Sequence, residues 1–134
     1  MEREEFKRIL EEKGYPYEET LTRIMVGKHR NSIDLSELKS IPSNVVFRNM
    51  GSLSLDSIEA IPSGVVFMNG LYVYFNSLRR IHPSVRFLNE GERIYTCTKT
   101  VGAVTIWSFS FGVPGISDYR VLNKMISMGL FWRS

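Results

Sequence analysis

The chain has 134 residues, of which 43% are hydrophobic and 23% charged, with a formal net charge of +3. This composition is that of an ordinary globular protein of about one domain, and it excludes a low-complexity or disordered chain. No apolar run approaches the roughly 20 residues of a membrane helix, and the single Cys97 excludes an internal disulfide, so we expect a cytoplasmic protein without membrane association.

Charge is unevenly distributed along the chain. Residues 1–19 carry seven Glu against four basic side chains, a balance of −3, whereas residues 20–134 carry 13 basic and 7 acidic side chains, a balance of +6. The basic excess permits attraction to nucleic acid or to acidic partners. A solvated, mildly basic surface is the simpler interpretation.

The N-terminal segment predicts a helix followed by a strand. Residues 2–13 are amphipathic, with apolar side chains on one face at i, i+3, i+4 spacing: Phe6, Ile9 and Leu10. Gly14 and Pro16 end the helix, and residues 21–26 predict a strand with Ile24 and Val26 on one side. We expect residues 1–31 to cover the open hydrophobic end of a repeat array at residues 32–91, because such arrays need atypical caps.

Three copies of a 20-residue unit form this array, at residues 32–51, 52–71 and 72–91. A fixed period of this length predicts that each unit buries its apolar face against its neighbours. The apolar columns, which we expect to face inward, are Ile33/Leu53/Val73, Leu35/Leu55/Phe75, Leu38/Ile58/Leu78, Ile41/Ile61/Ile81, Val45/Val65/Val85 and Phe47/Phe67/Phe87.

Each repeat contains two predicted strands and a corner. The first strand covers residues 32–35, 52–55 and 72–75, where alternate residues are apolar. The second covers residues 45–47, 65–67 and 85–87. Between them a proline (Pro42, Pro62, Pro83) with Asn44 or Gly64 marks the corner, since proline fixes φ and Asn or Gly tolerates left-handed geometry.

One polar column is kept in all three copies: Asn49, Asn69 and Asn89. A stack of asparagines can donate and accept hydrogen bonds along a corner, which satisfies loop amides and carbonyls. We therefore interpret the column as a structural ladder. A ligand-binding role is the alternative.

The pattern Leu53-x-Leu55-x-x-Ile58-x-x-Ile61-Pro62-x-x-Val65-x-Phe67 resembles leucine-rich repeat proteins. It is most similar to short arrays ending in I-P-x-x-V-V-F-x-N from bacteria and tailed phages, and the likeness covers residues 32 to about 91. The Asn usual after the Leu-x-Leu strand is missing and the repeat is near the shortest length, which favours a flat two-sheet β-solenoid over a horseshoe. The resemblance implies recognition of other proteins.

The register is lost after Gly91. Residues 104–111 predict a strand, and Ser117 or Asp118 begins a helix that runs to about Met128 with an apolar stripe of Val121, Leu122, Met125 and Ile126. Phe131 and Trp132 either fold back onto the body, which we favour, or contact another chain.

The predicted fold is therefore α+β: a short repeat β-solenoid, leucine-rich-repeat-like, capped by an N-terminal helix and a C-terminal strand and helix. We expect a single domain over 1–134, with caps at 1–31 and 92–134 around the repeats at 32–91.

Catalytic machinery is not indicated by the sequence. There are two His, His29 and His82, and none of the metalloprotease, Cys-x-x-Cys, P-loop or nucleophile-elbow patterns occurs. Asp34 and Asp56 occupy non-equivalent positions and form no acid–base pair. We predict a protein that is not an enzyme and that uses no metal or cofactor.

Candidate binding residues lie where the repeat is broken. Tyrosines replace small polar residues on the outward side of the third copy, and this aromatic pair either contacts a partner or is buried under the C-terminal segment. Basic residues precede the first repeat and gather in the third. The candidates are Tyr72, Tyr74, Arg79, Arg80, Arg86, Lys28, His29, Arg30 and Trp132.

A second outward column is mostly apolar: Val46, Arg48, Val66, Met68, Arg86 and Leu88. Exposed, it would be a sticky patch. We expect the C-terminal strand or helix, or a second subunit, to cover it.

Three functions fit these features. The leading hypothesis is a non-catalytic module that binds a partner protein, as a phage or bacterial accessory factor or host-defence inhibitor that modulates it. The alternatives are nucleic-acid binding through the basic and aromatic third repeat, and self-assembly, including a homodimer, through sheet edges or the apolar column.

Overall fold

The computed structural model describes residues 1–27, 32–48, 52–68, 72–75, 77–88, 93–96, 100–101, 104–105 and 119–132. These residues form an α+β fold of short strands with a helix near each end. In chain order the elements are α1 (Arg3–Lys13), β1 (Tyr17–Glu19), β2 (Ile24–Val26), β3 (Ile33–Asp34), β4 (Val45–Phe47), β5 (Ser52–Ser54), β6 (Ala60–Ile61), β7 (Val66–Phe67), β8 (Tyr72–Phe75), β9 (Arg80–Ile81), β10 (Arg86–Phe87), β11 (Arg93–Thr96), β12 (Thr100–Val101), β13 (Val104–Thr105) and α2 (Tyr119–Ser127).

Equivalent strands of successive repeats pair in parallel. A five-stranded sheet has the order β1-β2-β4-β7-β10, a four-stranded sheet the order β11-β8-β5-β3, and a two-stranded sheet joins β6 to β9. Positions 20 residues apart face each other in all three sheets, as Ile33 faces Leu53, Val46 faces Val66 and Ile61 faces Ile81. The sequence predicted two strands per repeat, whereas the repeats contribute strands to three sheets. The additional strands β6 and β9 lie between the two predicted strands, next to the predicted corner.

The predicted inward columns form the core. Val45, Val65 and Val85 are fully buried, and the described members of the other five apolar columns are buried as well. The rings of Phe47, Phe67 and Phe87 stack with centroid distances of 5.4 and 4.6 Å and interplanar angles of 12° and 9°. Repeating one side chain at one register position therefore produces a continuous stack, and the inward assignment is confirmed.

The predicted left-handed corner is present in the first two repeats. Asn44 has φ of 61° and Gly64 has φ of 73°, a region that favours glycine and tolerates asparagine. A Cβ on Gly64 would lie 2.0 Å from Oδ1 of Asn44. Because of both the backbone angle and this close approach, the second corner requires glycine.

The N-terminal segment agrees with the prediction for the helix and differs after it. The helix α1 ends at Gly14, whose φ is 74°, and its Phe6 and Leu10 are fully buried. The predicted strand over 21–26 begins only at Ile24, because residues before it turn back to form the antiparallel pair β1–β2. The sequence analysis missed β1, which carries two consecutive exposed glutamates, Glu18 and Glu19, on an edge of the sheet.

The C-terminal helix also follows the prediction. In α2 the side chains of Leu122 and Ile126 are buried, and Gly129 comes next with φ of 75°. Phe131 is fully buried, so the segment folds back onto the body as favoured. Of the predicted strand over 104–111, only Val104–Thr105 lies within the described residues, as β13 paired with β12; residues 106–111 and the helix start at Ser117 or Asp118 lie outside them.

The loss of register after Gly91 amounts to a shift of one residue. Strand β11 continues the four-stranded sheet beside β8, with Ile94 opposite Val73 and Thr96 opposite Phe75. The offset is 21 residues instead of 20. Ile94 therefore pairs with Val73, where a strict 20-residue comparison assigned Arg93.

Candidate binding surfaces

Six outward positions on the five-stranded sheet form two rows across strands β4, β7 and β10. Pairing of the strands places Val46, Val66 and Arg86 side by side in one row. Hydrogen bonds from the Met68 and Leu88 amides to the Phe47 and Phe67 carbonyls continue the same alignment into a second row of Arg48, Met68 and Leu88. With strands about 4.8 Å apart and alternate residues about 6.7 Å apart, the two rows cover roughly 10 by 7 Å.

This surface, called the apolar patch below, has Val66 and Met68 in the middle, Val46 and Leu88 at two opposite corners and an arginine at each of the other two corners. Met68 is 42% exposed and Leu88 is 47% exposed, whereas Val46 is buried. Met68 and Leu88 are thus partly exposed. The expectation that the C-terminal strand or helix, or a second subunit, covers the column stays a prediction, since residues 106–118 lie outside the described residues.

The two corner arginines differ in their partners. Arg48 donates from Nε to the Gly27 carbonyl at 2.9 Å, and its Nη2 lies 3.3 Å from a carboxylate oxygen of Glu18. Arg86 donates from Nη1 to the carbonyls of Pro83 and Val85, at 2.6 and 2.7 Å. Among the described residues no carboxylate pairs with Arg86, so this corner of the patch keeps its positive charge.

The basic residues of the third repeat contact aromatic and backbone groups. The Arg80 guanidinium carbon lies 4.3 Å from the centre of the Trp132 ring, a cation–π distance. His82 meets the same ring edge-on, with centroids 4.9 Å apart. Trp132 and Arg80 are partly buried and Arg79 is exposed. Two predicted binding residues, Arg80 and Trp132, thus lie in contact. The Arg80 guanidinium packs over one face of the Trp132 ring.

His82 belongs to a small hydrogen-bonded turn. Its Nδ1 accepts a hydrogen bond from the Ser84 backbone N–H at 3.1 Å and lies 2.7 Å from the Ser84 hydroxyl. That hydroxyl also accepts a hydrogen bond from the Gly64 N–H at 2.8 Å. The third corner is therefore joined to the second through a serine side chain, and the ring of His82 is oriented by this turn.

The outward side of the four-stranded sheet is polar in the first two repeats. The hydroxyls of Ser32 and Ser52 lie 3.2 Å apart, and Ser54 donates to Asp56 at 2.9 Å. Hydrogen bonds from Ser36 lower the pKa of Asp34 below its usual value. In the third repeat Tyr74 is 37% exposed, and the choice between a partner contact and burial under the C-terminal segment stays a prediction. The side chain of Tyr72 lies outside the description.

Cations of the N-terminal region are paired with carboxylates. Arg3 contacts Glu19 at 2.8 Å, Lys7 contacts Glu4 and Glu19, and Lys13 contacts Glu37. Hydrogen bonds to Glu4 and Glu19 raise the pKa of Lys7, and those from Lys7 and Arg3 lower the pKa of Glu19. Three of the seven Glu side chains of residues 1–19, Glu4, Glu18 and Glu19, thus form ion pairs within the described part of the chain.

Side-chain and backbone groups close three sheet edges, and the sequence analysis missed them. Asn123 of α2 accepts from the Phe87 N–H at 2.9 Å and donates to the Phe87 carbonyl at 2.7 Å, so its amide replaces a further strand beside β10. The Phe131 carbonyl accepts from the Ile81 N–H beside β9. The Tyr15 hydroxyl accepts from the Asp34 N–H beside β3 at 2.9 Å. The sequence signal that could have indicated the Asn123 cap was a polar Asn next to the apolar stripe of the predicted C-terminal helix.

Several predicted positions lie outside the described residues. These are the basic group Lys28, His29 and Arg30 and the asparagine column Asn49, Asn69 and Asn89. Their roles stay predictions.

Within the described part of the chain, no group of three or more His, Cys, Asp or Glu side chains is placed to hold a metal ion. Neither described helix has the length and apolar character needed to cross a membrane. Comparison with known proteins adds no relative: no family model, no curated protein and no solved structure matches the chain.

Proposed function

We propose that this protein is a non-catalytic interaction module that binds a partner protein through the apolar patch. The observation that carries the proposal is the exposure of Met68 and Leu88 at neighbouring positions of paired strands. Methionine and arginine are enriched in protein interfaces, and the patch combines apolar side chains with arginines at two corners.

The apolar patch is smaller than a complete protein–protein interface. A stable interface buries about 800 Å² on each partner, well above what six side chains can supply. Interfaces concentrate their binding energy in a few central residues surrounded by contacts that exclude water. We therefore assign Met68 and Leu88 to the centre of a larger contact, with the sheet rim around them.

We further infer a short β-solenoid for the repeats, as the sequence predicted. Three observations support it: the 20-residue parallel register in three sheets, the stacked Phe column and the buried helix residues at both ends. A rigid stack of this kind would hold the patch in a fixed shape, which lowers the entropy lost on binding.

Nucleic-acid binding is supported less well. Single-stranded binding needs free aromatic faces and cations that reach phosphates, but Arg80 covers Trp132 and Arg86 donates to two carbonyls. Arg79 alone of the three is exposed. A pull-down with DNA and RNA at low and high salt tests this function; binding at low salt that is lost steeply at high salt would favour it over ours.

End-to-end self-assembly is also opposed by the described contacts. Open strand edges are the groups that would pair with a second copy, and one edge of each of the three sheets formed by the repeats is capped, by Tyr15, Asn123 and the Phe131 carbonyl. Light scattering over a concentration series tests it, since growth with concentration would favour assembly.

The proposed function is tested by site-specific photo-crosslinking. A photoreactive phenylalanine analogue is placed at position 88, and in a matched control at position 21, since Leu21 is 96% exposed but lies in the β1–β2 turn. We expect a protein adduct from position 88 that is absent from position 21 and disappears when Met68→Glu is added.

The captured protein is then purified and its affinity measured directly. Leu88→Glu should weaken binding by about tenfold or more, as expected for a central interface residue, and Leu21→Glu should leave it unchanged. Equal adducts from both positions, or equal affinities of both variants, would show that the patch is not the binding surface. The accessory or inhibitor role stays a prediction, for which neighbouring genes are the informative observation.

A further inference from the structure

We infer that the apolar patch takes a peptide segment in which carboxylates flank a large apolar side chain. This inference rests on the proposed function and names the chemistry of the partner. It follows from the charges around Met68 and Leu88, which are unequal on the two sides of the patch.

The uneven charge is set by the partners of the two arginines. At the β4 side Glu18 neutralises Arg48. At the β10 side the Arg86 guanidinium is held by two carbonyls, which fix its position without cancelling its charge. An apolar anchor on Leu88 therefore lies about 7 Å, the spacing of alternate residues along a strand, from the backbone of Arg86. A carboxylate next to that anchor gains a charge-assisted hydrogen bond.

The positive charge extends beyond the patch. Arg80 is the first residue of β9, and Arg79 immediately precedes it. Within the described residues neither forms an ion pair with a carboxylate. The N-terminal cations Arg3, Lys7 and Lys13 all do. Among the described residues, the third repeat thus carries three arginines without an ion-paired carboxylate, Arg79, Arg80 and Arg86, a distribution that favours acidic segments over basic ones.

A second copy of the chain fits the patch less well than an acidic segment does. A two-fold contact is self-complementary and places the same surface on both sides. It would bring the uncompensated Arg86 of each copy to a surface that carries no free carboxylate among its six positions. Like charges brought together in an interface repel each other, so two copies of the patch disfavour a contact with each other.

The test uses short random peptides displayed on phage, selected in parallel on the wild-type protein and on Leu88→Glu. We expect peptides recovered only on the wild type to carry Asp or Glu beside Leu, Ile, Met, Phe or Trp. A synthetic copy of the most enriched sequence, and one with Lys in place of the acids, are then measured by fluorescence anisotropy. The acidic peptide should bind at least about tenfold more tightly, and high salt should reduce that ratio.

Arg86→Gln and Arg86→Lys form the matched pair of variants. Both keep a donor for the Pro83 and Val85 carbonyls, and only lysine keeps the charge. We expect Arg86→Gln to reduce acidic-peptide affinity severalfold and Arg86→Lys to retain most of it. Thermal unfolding of both variants shows whether either change acts through stability.

Three results would overturn the inference. Patch-dependent peptides without acidic enrichment would do so while leaving the proposed function intact. A concentration-dependent dimer that Leu88→Glu abolishes would identify a second copy as the occupant. The absence of any patch-dependent peptide would also reject it, and the crosslinking experiment at position 88 would then decide separately whether a folded protein binds there.

Discussion

The two ends of the repeat region are closed by different chemistry. At the N-terminal end, Arg3 and Lys7 of α1 pair with Glu19 on β1, and the Tyr15 hydroxyl accepts from the Asp34 N–H at the edge of β3. At the C-terminal end, Asn123 and the Phe131 carbonyl bind backbone groups of β10 and β9. Both ends bury aromatic side chains, Phe6 and Phe131.

The two kinds of cap leave different charged side chains available to bind other molecules. Exposed ion pairs contribute little to stability because solvent screens them, but they cancel the charge of the residues involved. Amide and carbonyl caps cancel none. Among the described residues, Arg79, Arg80 and Arg86 of the third repeat have no carboxylate partner, while Arg3, Lys7 and Lys13 at the N-terminal end are paired. The C-terminal end thus closes its edges without using these cations.

The largest expected effect tests the C-terminal closure. Phe131→Ala removes a fully buried ring and should lower the free energy of unfolding by about 3–5 kcal/mol, measured by urea unfolding. Met128→Ala on the same segment is the control, since Met128 is exposed and should change stability by less than about 0.5 kcal/mol. Similar effects of the two variants would mean that the segment does not close the array.

A smaller effect is expected from the side-chain amide at the β10 edge. Asn123→Ala leaves both the N–H and the carbonyl of Phe87 without their partner and should cost about 1–3 kcal/mol. Lys124→Ala, at the exposed neighbouring position, serves as control. Amide hydrogen exchange at Phe87 should accelerate in the first variant alone; unchanged protection would contradict the role given to Asn123.

The corresponding change at the N-terminal end is Tyr15→Phe. It removes the acceptor for the Asp34 N–H and keeps the ring, so the expected loss is about 0.5–1.5 kcal/mol. Chemical denaturation measures it. A loss larger than that of Asn123→Ala would reverse the comparison, because it would make the N-terminal edge the more dependent on its polar cap.

The smallest effect concerns the ion pairs of Glu19. Its pKa is lowered in the folded state by Lys7 and Arg3, so its contribution to stability is present above the unfolded pKa and is lost as pH falls through the folded pKa. Glu19→Gln should therefore be slightly less stable than the wild type at neutral pH, and the difference should vanish in acid.

The pH dependence of the unfolding free energy of both proteins measures this difference. Glu12→Gln, on the exposed side of α1, is the control. A difference that persists or grows in acid would show that the ion pairs do not account for the effect.

The repeat made much of the fold predictable. Identical apolar residues every 20 positions must occupy equivalent places, so the inward columns and the parallel strands came directly from the pattern. The hairpin strand β1 could not be predicted, since its polar residues carry no apolar alternation. Nor could β6 and β9, whose backbone pairing depends on the neighbouring repeat and not on their own residues.

The candidate site was only partly predictable. The outward position of Met68 and Leu88 came from alternation along the strand, but their exposure did not, because it depends on where distant segments pack. The contact of Trp132 with Arg80 was likewise invisible, as it joins residues more than two repeats apart in the chain.

By itself the sequence determined the α+β class, the columns of the core and the set of outward side chains, because each is a consequence of local periodicity. The tertiary structure decided which outward side chains stay exposed, which cations meet carboxylates and how the sheet edges are closed. These depend on contacts between residues far apart in the chain, and no periodic pattern encodes the distance between them.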